Sequence, residues 1–125
     1  GNPPPALFFC YSKDNMQLSK QVLIDVSEDA SNSTGVQTDG LLLSGIVFPA
    51  TMTGANVTFD FSFDGSTWVD VAETDNTEVT YAVSAGNVVR VDPSGWAFAA
   101  AGFLRVTSDG TETADRNIQL IFKQS

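Results

Sequence analysis

The chain has 125 residues, with fifteen acidic and six basic side chains for a formal charge of −9, no histidine and one cysteine. A surface of that sign repels phosphate backbones and anionic headgroups, so nucleic-acid and membrane-surface binding are set aside. Without histidine neither a Ser-His-Asp or Cys-His nucleophilic system nor a histidine-bearing zinc site can be built, and Cys10 alone closes no disulfide within the chain.

The length and a hydrophobic share of 42% suit one domain with a single core. No apolar run approaches the ~20 residues of a membrane-spanning helix, and the amino end lacks the pattern of a secretory signal, so a soluble chain is expected. Residues 1–16 read as an extended arm and 17–125 as the folded domain. Pro3-Pro4-Pro5 favours polyproline II, and the apolar run Leu7-Phe8-Phe9-Cys10-Tyr11 follows it. The run either lines the domain's own core or docks on a neighbouring chain. The expectation adopted is docking, with Leu7, Phe8, Phe9 and Tyr11 as partner contacts, residues 1–15 outside their own sandwich, and a homo-oligomer as the resulting state.

Gln21 to Val26 alternate as a first strand, and the polar, glycine-bearing stretch from Ser27 to Gly40 is a loop by composition. Leu41 to Phe48 is apolar on both faces and stops at Pro49, as expected for a central strand covered from two sides. Thr51 to Asn56 turn the chain into Val57-Thr58-Phe59-Asp60-Phe61-Ser62-Phe63, whose alternation places Val57, Phe59, Phe61 and Phe63 on one buried side. Asp64-Gly65 then leads to a second alternating run, Thr67 to Val71, and the two make a β-hairpin. Further strands are expected from Thr77 to Ser84, Val88 to Val91, Phe103 to Thr107 and Asn117 to Lys123. Asp92 to Ala101, with an early proline and late alanines, is the one helical turn. Eight strands with no helix long enough for a crossover predict an all-β fold, an antiparallel two-sheet β-sandwich of jelly-roll type.

Candidate sites are few. Asp60 and Asp70 pair on the outer face of the hairpin, but most such carboxylates only solvate a sheet, and Asp60→Ala is expected to cost little stability. Asp60 to Gly65 half-matches a calcium loop, yet the twelfth place is Val71 where glutamate is required. Turn chemistry accounts for the acidic turns Asp75-Asn76 and Asp109-Gly110 without a metal. Asn32-Ser33-Thr34 and Asn56-Val57-Thr58 fit a glycosylation triplet short enough to arise by chance. Trp68 and Trp96 are sugar-stacking platforms if exposed and core residues otherwise, the second being the commoner case. Arg90, Arg105 and Arg116 are too dispersed for a basic patch and are expected to pair with nearby carboxylates. No catalytic residue, cofactor or metal site is assigned.

The succession Leu42-Leu43-Ser44-Gly45-Ile46-Val47-Phe48-Pro49-Ala50, Val57-Thr58-Phe59 with Asp64-Gly65, Val91-Asp92-Pro93, Phe103-Leu104-Arg105-Val106 and Asn117-Ile118-Gln119-Leu120 resembles small structural proteins of tailed bacteriophages and prophages. The likeness spans roughly residues 21–123. It implies a non-enzymatic virion protein that decorates or stabilises the head or neck by binding the major capsid protein or other virion proteins. A second string, Ser62 to Trp68 followed by Phe103-Leu104-Arg105-Val106, resembles galactose-binding-like sandwiches and implies, as the alternative, a carbohydrate-binding module with a glycan as partner.

Overall fold

A computed structural model describes residues 18–125; the arm read from residues 1–16, with Leu7, Phe8, Phe9 and Tyr11, lies outside them. The strands are β1 (Ser19–Ile24), β2 (Val36–Gln37), β3 (Leu41–Val47), β4 (Asn56–Ser62), β5 (Val69–Asp70), β6 (Thr80–Ala82), β7 (Val88–Arg90), β8 (Phe103–Ser108) and β9 (Arg116–Gln124). Pro93–Ala99 is a 3-10 helix between β7 and β8. One sheet has the order β1-β9-β3-β7, the other β2-β8-β4-β5 with β6 also on β4, and every pairing is antiparallel.

This is the expected jelly-roll sandwich. β5 pairs with Asp60 and Phe61, β6 with Asn56 to Thr58, so the two occupy one strand position along the same edge of β4. The segment between them leaves the sheet as a small hairpin closed by Val79 N donating to Val71 O at 3.0 Å. Counted that way, eight strand positions divide four and four between the sheets, with the fourth and fifth paired as neighbours in one of them, which is the order of a jelly roll. β2 is the strand the composition concealed: two residues inside the polar loop pair with Phe103 and Leu104.

The core is built from alternate residues of facing strands: Val22 and Ile24, Val57, Phe59 and Phe61, Leu104 and Val106, and Ile118, Leu120 and Phe122 are all buried. β3 departs from expectation. It is interior to its sheet, but a register shift between Leu43 and Gly45 changes the phase of the strand. Leu41 and Leu43 before the bulge, and Ile46 and Phe48 after it, therefore all enter the same core. An apolar run that reads as covered from both sides is one buried face whose phase has been reset, with Leu42 and Val47 half-buried on the other.

A second correction concerns Phe63. β4 ends at Ser62, and Phe63 is 86% exposed rather than buried beside Phe59 and Phe61. The Ser62 hydroxyl accepts from the amides of Asp64 and Gly65, at 3.2 and 2.8 Å, and turns the backbone before the alternation can continue. Gly65 completes the turn at φ +82°, a conformation that costs glycine little.

Candidate functional site

The most distinctive surface of the described residues grows from that turn and from the 3-10 helix. Asp92 caps the helix by accepting from Ser94 N at 3.1 Å and Ser94 Oγ at 2.9 Å, and Pro93 presets its first turn. With about three residues per turn, Trp96 and Ala99 fall on one face and are buried. Trp96 is 4% exposed, its ring lies edge-on to Phe59 at 4.9 Å, and Nε1 donates to the Tyr81 hydroxyl at 3.3 Å. Phe98 projects from the other side of the helix, 54% exposed.

Phe98 meets the edge of Phe61 at 5.7 Å, and Phe61 meets Phe63 at 4.9 Å. A continuous line of ring contacts thus leads from Phe59 in the core through Trp96, Phe98 and Phe61 to Phe63 in solvent. Val69 on β5, 55% exposed, closes the other wall of a groove of ≈ 430 Å³. A second depression of ≈ 410 Å³ adjoins it, sharing Val71, Ala72 and Phe98 and running past Trp96 and Tyr81 to Glu73 and Asp92. Among the described residues, the carboxylates lining the two are Asp70, Glu73 and Asp92, and no basic side chain lines either.

Asp60 and Asp70 stand directly opposite each other, as the hairpin reading requires. Asp60 is on the outer face, but it is not a solvating carboxylate: it is 5% exposed and accepts from Arg105 Nε at 2.8 Å and Thr107 Oγ1 at 3.3 Å. Its hydrogen bond and its charge hold the Asp70 carboxyl above the ordinary value. Arg105 in turn lies over the Trp68 ring, 4.7 Å from its centroid. Asp60→Ala therefore strips a buried partner from Arg105, and the expectation of a small cost does not hold.

Those contacts also settle the two tryptophans. Trp96 is core, and Trp68 is a half-buried ring with the Arg105 guanidinium against it, so neither presents a free platform. A smaller depression of ≈ 190 Å³ beside Arg105 is lined by Asp25, Glu28 and Asp29. Asp29 is engaged within its own loop, accepting from the amides of Ser31 and Asn32 at 3.0 Å. The other acidic turns are likewise self-satisfied: Asp64 accepts from Ser66 N and Thr67 N, Asp75 from Thr77, and Asp109 from Ala55 N and Asn56 Nδ2. The bonds from Thr67 and Ser66 hold the Asp64 carboxyl down at about 2. Among the described residues no three carboxylate or thiol groups converge as a cation would require. Asn32 and Asn56, of the two glycosylation triplets, are each tied to a neighbouring aspartate.

Arg105 and Arg116 pair as expected. Arg116 Nε donates to Glu112 Oε1 at 2.7 Å within a buried cluster at the far end of β4. The sequence reading missed Glu112, Phe98 and the exposure of Phe63. For Phe63 a signal was present, since Ser62-x-Asp64-Gly65 is itself a turn sequence.

No protein-family model matches the chain, and no curated protein matches it in sequence.

Proposed function

We propose that this chain is a non-enzymatic virion structural protein of a tailed bacteriophage or prophage, which decorates or stabilises the head or neck by adhering to other virion proteins. The observation that carries the reading is the solvent-facing aromatic surface of Phe63, Phe98 and Val69, set on a rigid sandwich. Contiguous exposed apolar patches on a folded domain mark interaction sites, and the resemblance of residues 21–123 to phage structural proteins supplies the setting. The major capsid protein is the leading partner, and a homo-oligomer held through Leu7, Phe8, Phe9 and Tyr11 belongs to the same proposal.

Mass spectrometry of purified virions from the source phage tests it: the chain is expected at a fixed stoichiometry to the major capsid protein. Virions that lack the chain would remove the proposal. The carbohydrate-binding alternative has lost the support of Trp68 and Trp96, and specific glycan-array binding abolished by Trp68→Ala in a folded protein would restore it.

A further inference from the structure

We infer that the paired depressions along the β5–β6 edge are a docking groove for an extended apolar segment of a partner protein, flanked by lysine or arginine. The inference rests on the virion reading only for the partner's setting; the site stands on its own geometry. β5 and β6 pair with β4 on one side and form the edge of their sheet, where an extended chain can lie alongside. Phe63 and Phe98, with Val69 on the facing wall, supply an apolar groove that alternate side chains of such a segment, about 7 Å apart, can reach.

Charge selects the occupant. Asp70, Glu73 and Asp92 rim the groove, and among the described residues no lining cation offsets them, although Arg90 and Arg105 lie on strands nearby. Asp29 and Asp64 are taken up by amides of their own loops and Asp39 by Lys20, whereas Asp70 and Glu73 line the depressions together with Asp92, whose Oδ1 also accepts from Ser94. A second copy that met this groove with its own would bring the same acidic rim on a chain of charge −9 and be repelled, whereas a cation-flanked segment is drawn in. The aromatic walls anchor the segment and the acidic rim chooses it.

The test uses the full chain and fluorescence anisotropy with two synthetic peptides. Both carry alternating leucine and phenylalanine, one flanked by lysines and the other by glutamates. The lysine-flanked peptide is expected to bind saturably, and the glutamate-flanked one at least tenfold more weakly. Phe63→Ser with Phe98→Ser should weaken binding at least tenfold. Glu73→Gln with Asp92→Asn should weaken it severalfold at low salt, with the difference closing at high salt; asparagine preserves the helix cap. Val69→Lys obstructs the groove with both phenylalanines in place and should also abolish binding, which guards against misfolding of the double variant.

Equal binding of the two peptides, absence of binding, or indifference to these substitutions overturns the inference. So does a concentration-dependent dimer abolished by the Phe63 and Phe98 changes, which would make the occupant a second copy. Binding that emerges only in Phe8→Ser/Phe9→Ser would make the occupant the chain's own arm and overturns the inference equally. Virions that incorporate the Phe63/Phe98 variant at full copy number would refute the groove and leave the virion reading standing, whereas virions lacking the native chain do the reverse.

Discussion

Replacing Glu112 by glutamine tests the energetics at the end of the sandwich opposite Phe63. Glu112 accepts four bonds: from Thr53 N at 2.9 Å and Arg116 Nε at 2.7 Å on one oxygen, and from Gly54 N at 2.8 Å and Ser108 Oγ at 2.7 Å on the other. Burial by itself would push the carboxyl up; the Arg116 guanidinium, the Thr53 amide, the Ser108 hydroxyl and the Gly54 amide overcome it and bring it from 4.5 down to about 2. At about 1.4 kcal/mol per unit, that depression corresponds to roughly 3 kcal/mol of folding free energy at neutral pH. Glutamine keeps the shape but offers one acceptor oxygen, turns an NH₂ toward two of the donors, and leaves the buried Arg116 without its counter-charge.

The pH dependence fixes the mechanism. A carboxyl whose folded value is depressed contributes fully above its unfolded value, here 4.5, and loses that contribution as pH falls through about 2. Urea titrations of the native chain and Glu112→Gln at neutral pH should differ by about 3 kcal/mol, or roughly 1–3 M in midpoint. The gap should shrink steadily below pH 4.5, where the unfolded chain's Glu112 takes up a proton that the folded carboxyl accepts only near 2. Other carboxylates titrate in both proteins, so the difference isolates Glu112. Equal midpoints at neutral pH, or a gap that stays constant down to about pH 2.5, would show that the network does not hold the carboxylate as described.

Further expectations come from the same contacts. Phe61→Ala should cost about 3 kcal/mol in denaturant unfolding, while Phe63→Ser should cost less than about 1 kcal/mol because the ring is already in water; equal costs would restore the unbroken strand register. Gly54→Ala would drive a methyl into Ser108 Oγ and should lower the melting temperature clearly, whereas Gly86→Ala, with nothing within 4 Å, should show only the penalty of its positive φ. Carboxyl titration by NMR should find Asp70 above the ordinary aspartate value and Asp64 near 2, and the opposite order would contradict the Asp60–Asp70 juxtaposition. Removing residues 1–15 should leave a folded sandwich of unchanged thermal stability that is monomeric or no longer joins particles, read by calorimetry and sedimentation; loss of the fold would place the arm in the core.

The sheets were readable wherever alternation ran long enough to declare a face, as in β4, β8 and β9. β2 was hidden because two residues carry no period, and the pairing of Val36 and Gln37 is decided by β8, far along the chain. β3 misled because a bulge resets the phase, so its apolar residues occupy both parities of the sequence while entering one core. Phe63 misled in the opposite direction: the period continues in the sequence past the point where Ser62 turns the backbone. Glu112 lies in a stretch of polar residues that reads as an ordinary loop. Its burial depends on Thr53 and Gly54, brought up from 59 and 58 residues earlier by the β4–β8 pairing, and no local pattern records that.

The two ends of β4 differ in one respect, and the difference separates a lock from a docking surface. At its start, Glu112, Arg116, Ser108 and Thr53 satisfy one another, and among the described residues no buried side-chain nitrogen or oxygen lacks a hydrogen-bond partner. A network closed in this way resists rearrangement and has nothing left to offer a ligand. At the other end Phe61 is covered, but Phe63, Phe98 and Val69 remain exposed along one groove. Exposed apolar area stays unfavourable until something covers it. The closed end holds β4 and the strands around it in place, so the open end keeps its shape in the absence of a partner, and association need not supply the entropy of ordering it.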